Sequence, residues 1–172
     1  FATGHSNGSI MAYRLACERA GRFAAIAASA GAMHDARFAD EPPTQIYTCD
    51  PSEPVSILHV HGLDDLCAPY EGGKTSGRAS TVHPPVEETI SAWRALNGCG
   101  DEPVLDQADG VVERRAWACA AGARIELVTV EGLGHAWAGS DIYGNPELCG
   151  GATTTAVSTS EELWRFFEAN GR

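Results

Sequence analysis

Residues 1–9, "FATGHSNGS", decide how the rest of the chain is read. Gly4-His5-Ser6-Asn7-Gly8 fits G-x-S-x-G, the sharp strand-to-helix turn that lifts a serine hydroxyl above an α/β sheet. Phe1 to Thr3 reads as the end of a strand. Asn7 to Ala20, "NGSIMAYRLACERA", puts Ile10, Met11, Leu15 and Ala16 at helical spacing before Gly21 stops the helix. Glycines two residues before and two after the serine carry no side chain to crowd such a turn. The hydroxyl then stands at a helix N-terminus, where the Asn7 N–H and the helix dipole can receive an oxyanion. The plain alternative is a glycine-rich turn with an ordinary capping serine. Asn7-Gly8-Ser9 also spells a glycosylation acceptor, read here as an accidental match because a sugar would plug the site.

Outward from that turn, strands and helices alternate. Phe23 to Ser29 is a small apolar run that suits a buried parallel strand, and Val55 to Gly62, "VSILHVHG", is the strongest strand. Residues 31–54 and 64–77 read as loops. Val86 to Gly98 reads as a helix behind Pro84 and Pro85. Val111 to Cys119 and Ala123 to Gly132 read as strands joined by a short turn. Residues 133–157 form a long glycine-rich loop, a length that usually carries function. The chain closes with a helix capped by Ser160 or Thr159, with Glu161 and Glu162 in its first turn. This alternation predicts an α/β fold with a mainly parallel sheet flanked by helices, as a single domain over 1–172. In such sheets, sites collect beyond the carboxyl ends of the strands.

The 172 residues carry a net charge of −11, with a hydrophobic share of 44%. That balance suits a globular protein and argues against nucleic acid or an anionic membrane as partner, since both need a basic face. No apolar run is long enough to span a bilayer. Six cysteines without a C-x-x-C pair point to disulfides formed in an oxidising compartment.

A nucleophilic serine needs a base, and there are six histidines. His59 and His61 lie in the Val55 strand, and His34 sits in a polar loop. His83 precedes a helix, which places it on the opposite side of the sheet. His135 follows the Ala123 strand on a glycine-rich loop at the carboxyl edge, where a base belongs. The acid should end the preceding strand, and Asp64 and Asp65 both do; spacing leaves the choice open. The order Ser, Asp, His along the chain differs from that of the chymotrypsin and subtilisin types.

Four segments, "TGHSNGSIMAYRLACE", "HVHGLDDLCAPYEGG", "SAWRALNGC" and "VEGLGHAWAG", together resemble the polyhydroxybutyrate depolymerase and feruloyl esterase family, carbohydrate esterase family one of the α/β hydrolases. The resemblance covers nearly the whole chain. It implies an α/β-hydrolase fold and a secreted or periplasmic serine esterase without cofactor. The implied substrates are esters of a polymer: feruloyl- or acetyl-polysaccharide, or a polyhydroxyalkanoate. The family's H-G-T-x-D-x-x-V-P-Y, laid on His61-Gly62 and Pro69-Tyr70, selects Asp65 as the acid. Its G-G-H-x-W-P-G falls on Leu133 to Gly139, with Leu133 for a glycine and Ala138 for the proline. Ser9 stands where a further glycine is frequent. The implied catalytic set is Ser6, Asp65 and His135, with Asn7 at the oxyanion and His5, Tyr70 and Trp137 lining the cleft. The resemblance also implies a Cys99–Cys119 bridge, and Cys17–Cys49 as a second pair. That leaves Cys67 and Cys149 over the same edge, where they can tie the acid loop to the base loop.

In this fold the second oxyanion donor follows an early strand. No strand precedes Phe1, so the expectation is a C-terminal portion of a larger enzyme whose N-terminal strands are missing. Two rivals stand beside it. His59, His61 and Asp64 could grip a metal ion for hydrolysis, since alternate strand residues share a face. A non-catalytic fragment or carbohydrate-binding module could use the four tryptophans as stacking surfaces, although Trp93 and Trp164 fall in amphipathic helices that predict core positions.

Overall fold

The computed structural model describes residues 1–34, 48–76, 82–140 and 146–171. The loops expected over 31–54, 64–77 and 133–157 therefore lie partly outside the described residues. Three parallel strands come first: β1 (Ala2–His5), β2 (Ala25–Ser29) and β3 (Ser56–Gly62), with helix α1 (Asn7–Glu18) between the first two. The small pair β4 (Gly73–Lys74) and β5 (Val82–His83) leads into α2 (Val86–Leu96). Then follow β6 (Leu105–Asp109), β7 (Val112–Ala118), β8 (Arg124–Val130), the short α3 (Pro146–Cys149) and α4 (Thr159–Ala169). The main sheet has the order β1-β2-β3-β8-β7-β6. The pairs from β1 to β8 are parallel, and β8, β7 and β6 run antiparallel. The fold is α/β with a mostly parallel central sheet.

Alternation along the strands builds two cores. Ile26, Ala28, Ile57, Ile125 and Leu127 pack with α1 and α2, around Tyr13, Ile90 and Trp93. Their neighbours Ala25, Ala27, Leu58, Val60, Val128 and Val130 pack with Phe166 and Phe167 of α4. A strand residue faces opposite to the next, so one run of apolar residues serves both layers. β3 is buried at every position, as a central parallel strand should be. α4 is docked further by Arg165, which contacts both Glu126 and Glu162. No described helix is long and apolar enough to cross a membrane.

Several local expectations change. The cap of α4 is Ser158, whose hydroxyl accepts the Glu161 N–H at 3.3 Å. Ser158 and Glu161 have the S-x-x-E spacing of a capping box, one position before Thr159 and two before Ser160. Trp93 is fully buried as expected, but Trp164 is 63% exposed, so its place on an amphipathic helix does not make it core. β6, "LDQAD", is an exposed edge strand without the apolar alternation that marks a strand in sequence. The Asp109-Gly110 dipeptide that ends it is the signal for a hairpin.

Candidate active site

The parallel strands deliver their loops to one rim. Ser6 follows β1 with φ 56° and ψ −119°, a conformation costing about 1–3 kcal/mol for a residue with a Cβ. The surroundings hold it there. The Ser6 N–H donates to Ser29 O at 2.8 Å, and Ser6 O accepts from the N–H groups of Ser9 and Ile10 at 2.9 and 3.2 Å. Two glycines around the turn are sterically required, and only the first, Gly4, is one of the expected pair. A Cβ on Gly4 would lie 2.3 Å from the Gly8 backbone, and one on Gly31 would lie 2.6 Å from Ser6 O. A Cβ on Gly8 would meet nothing within 4 Å. The second glycine of the motif thus matters as backbone that Gly4 packs against. Ser9 is fully buried and donates its hydroxyl to Gly31 O, fastening α1 to the loop after β2.

His135 follows β8 on a loop held by a bridge between Leu133 and Ala152 and by Gly134 N–H to Ala152 O at 3.0 Å. Its Nε2 lies 2.8 Å from Ser6 Oγ and its Nδ1 lies 2.7 Å from Asp65 Oδ2. A carboxylate only accepts, so the His135 proton sits on Nδ1 and the Nε2 lone pair faces the serine hydroxyl. Asp65 is 2% exposed. Its Oδ1 accepts from the N–H groups of Cys67 and Ala68, both at 2.8 Å, which fixes the carboxylate and leaves Oδ2 for the imidazole. Asp64, the neighbouring candidate, is exposed. Disulfides join Cys17 to Cys49, Cys67 to Cys149 and Cys99 to Cys119. The second leaves the acid turn two residues after Asp65 and ends on α3, beyond the His135 loop.

The other expected residues separate into two groups. The His5 ring sits 4.9 Å from that of His135 and 6.2 Å from the half-buried Trp137, which gathers these three rings near Ser6. Tyr70 does not line it. It is 9% exposed, packs edge-on against His61 in the core beneath α2, and donates its hydroxyl to Glu87. Asn7 begins α1, and the first N–H groups of a helix have no carbonyl partner within it.

Histidines dominate the electrostatics. Burial pushes His5 down to about 4, helped by the nearby His135. His83 is likewise lowered to about 4 by burial and then by His34, whose Nε2 lies 3.2 Å from His83 Nδ1. His83 also feels the charges of Asp65, His135 and His61. His34 follows the carboxyl end of β2, so its contact with His83 puts His83 on the site's side of the molecule, not the opposite one. His34, His59 and His61 are lowered by burial as well. These folded values lie below the unfolded value near 6.5, so the unfolded chain binds more protons between them. Stability is thus complete above that value and falls as pH drops toward about 4. Urea unfolding at about pH 7.5 and about pH 4.5 should show a clearly lower midpoint in acid.

Among the described residues, nothing favours the metal alternative. His59 and His61 spend their ring nitrogens on each other, on Tyr13 and on Ala68 O, while Asp64 faces solvent. No group of three candidate ligands converges among the described residues. Trp93 and Trp117 are buried in the core, which removes two of the four tryptophans from any sugar-stacking surface.

No family model matches the chain. Curated proteins do. The chain is 37% identical over 76 residues to "Feruloyl esterase C" of Emericella nidulans, covering 44% of this chain and 24% of that protein. It is also 30% identical over 91 residues to "Feruloyl esterase B" of Piromyces equi, covering 51% of this chain and 17% of that protein. The similarity to feruloyl esterases thus covers about half of this chain or less. A match to "Putative esterase NocK" of Nocardia uniformis subsp. tsuyamanensis is 29% identical and covers 94% of this chain. The chain spans about half the length of that relative, 48%, and about a quarter or less of the feruloyl esterases.

Proposed function

We propose that the chain is the catalytic portion of a serine esterase of the α/β-hydrolase type, acting through Ser6, His135 and Asp65. The continuous contact from Ser6 Oγ through the His135 ring to Asp65, 2.8 Å and then 2.7 Å, carries the reading. Ser6 attacks the ester carbonyl as His135 Nε2 takes the hydroxyl proton. Asp65 holds the Nδ1 proton and stabilises the imidazolium, and the Asn7 N–H faces the developing oxyanion. The imidazolium returns its proton to the departing alcohol, leaving an acyl group on Ser6. Water then attacks that acyl group with His135 as base, releasing the acid and restoring the serine. His5 stays neutral at physiological pH, so no second cation opposes the imidazolium.

The substrate we infer is a feruloyl ester of a plant polysaccharide. The names of the relatives support it, as does the His5–Trp137 pair of rings beside Ser6. Acetyl-polysaccharide and polyhydroxyalkanoate esters are the comparison substrates. Three disulfides support an extracellular or periplasmic place of work. A fluorophosphonate is expected to label Ser6 stoichiometrically and to stop hydrolysis of methyl ferulate, whereas a chelator leaves the rate unchanged. Peptide mapping that found the phosphonate elsewhere, or chelator-sensitive turnover, would overturn the reading.

A further inference from the structure

Four groups in line beneath the candidate site play no part in the reaction as drawn. The Tyr13 hydroxyl lies 2.7 Å from His59 Nδ1, His59 Nε2 lies 2.9 Å from His61 Nδ1, and His61 Nε2 lies 2.7 Å from Ala68 O. Both imidazoles are buried, and their rings lie nearly parallel, with centroids 5.1 Å and planes 5° apart. Alternation along β3 puts them on one face, and Tyr13 comes from α1, the helix that Ser6 opens.

The carbonyl at one end gives this line a direction. Ala68 O can only accept, so His61 carries its proton on Nε2. A neutral His61 then accepts at Nδ1 from the Nε2–H of His59, and His59 accepts at Nδ1 from the Tyr13 hydroxyl. Burial favours the neutral rings that this order requires. Every proton points toward the acid loop. What that loop holds at its far end is Asp65. The residue whose carbonyl His61 grips, Ala68, is the same residue whose N–H donates to Asp65 Oδ1. His61 Nε2 also lies 3.7 Å from Asp65 Oδ2, the oxygen that faces His135.

We propose that His61 is a positioning residue for Asp65: the Tyr13–His59–His61 line fixes the proton on His61 Nε2, and that proton anchors the Ala68 turn which aims the carboxylate at His135. The inference rests on the reading of Asp65 as the orienting acid. A line of this kind also couples the helix carrying the nucleophile to the loop carrying the acid through side chains alone.

The order of donor and acceptor on His61 makes the idea testable. A glutamine amide can reproduce both ends, accepting from His59 with Oε1 and donating to Ala68 O with Nε2. Asparagine keeps a polar group facing His59 but is too short to reach Ala68 O. For His61→Asn, kcat on methyl ferulate is expected to fall on the order of 30-fold with KM little changed, because small misplacements of catalytic groups cost this much. His61→Gln should recover most of that loss. A second readout needs no turnover. The His135 Nδ1 proton, bonded to a carboxylate, gives a low-field proton resonance that should be present in the parent and in His61→Gln and absent in His61→Asn. Tyr13→Phe, which removes the far donor, should broaden it.

If His61→Asn keeps parental kcat and the resonance, or if His61→Gln is as impaired as His61→Asn in a folded protein, the inference is overturned. Failure of the esterase reading looks different: turnover would then survive removal of the Ser6 hydroxyl, whatever the resonance does.

Discussion

Ser6→Ala is expected to lower kcat/KM on methyl ferulate by on the order of 10⁵-fold while leaving the protein folded. The size follows from chemistry. Without Oγ no acyl-enzyme forms, and what survives is water attack assisted by the oxyanion site. Alanine is a fair replacement structurally. It has the same Cβ, so the backbone at φ 56° is no more crowded than before, and the contacts to Ser29 O, Ser9 N and Ile10 N are all made by main chain. Only the hydroxyl contact to His135 is lost. Steady-state rates, paired with a thermal melt within a few degrees of the parent, are the measurement. A variant retaining even a few per cent of parental turnover would mean that the attacking atom is not Ser6 Oγ.

Asp65→Asn should be the next most damaging change, roughly 10⁴-fold in kcat. The asparagine amide can present N–H to His135 Nδ1, which makes that nitrogen the acceptor and moves the ring proton to Nε2. The imidazole then faces the serine with a hydrogen it cannot use to take another. The buried Oδ1 contacts to Cys67 and Ala68 can persist, so the turn survives while the tautomer is wrong. Asp64→Asn is the control. Asp64 is exposed and its described role is a backbone N–H to Leu133 O at 3.1 Å, which asparagine keeps. Its rate should stay within about twofold, as for most surface substitutions. Equal losses in the two variants would reassign the acid.

Much of this was legible in residue order. A strand stub, a serine between spaced glycines and an amphipathic helix have one common physical solution, and β1, Ser6 and α1 adopt it. His135 was legible because glycines flank it at the end of a strand. Asp65 was not separable from Asp64 by spacing; burial and its two backbone donors distinguish them, and those depend on how the loop folds. Gly31 and Ser29 carry no local pattern at all. They matter because β2 lies beside β1, a contact between distant parts of the chain. His61 was visible as a strand histidine but its task was not, since its partners come from α1 and from a loop. Tyr70 is a similar case: its neighbours in sequence surround Asp65, while its ring packs on His61 and its hydroxyl reaches Glu87 of α2. Trp164 shows the limit of periodicity, because helical spacing says which face is apolar but not whether that face is covered.

The bond between Cys67 and Cys149 closes a span of 82 residues and starts two positions after the acid. An untethered polymer could complete its sheet and still leave the carboxylate wandering. On the proposed reading, catalytic competence is expected to ripen only as this bond closes. Two batches with the same secondary structure can differ in specific activity through thiol history alone.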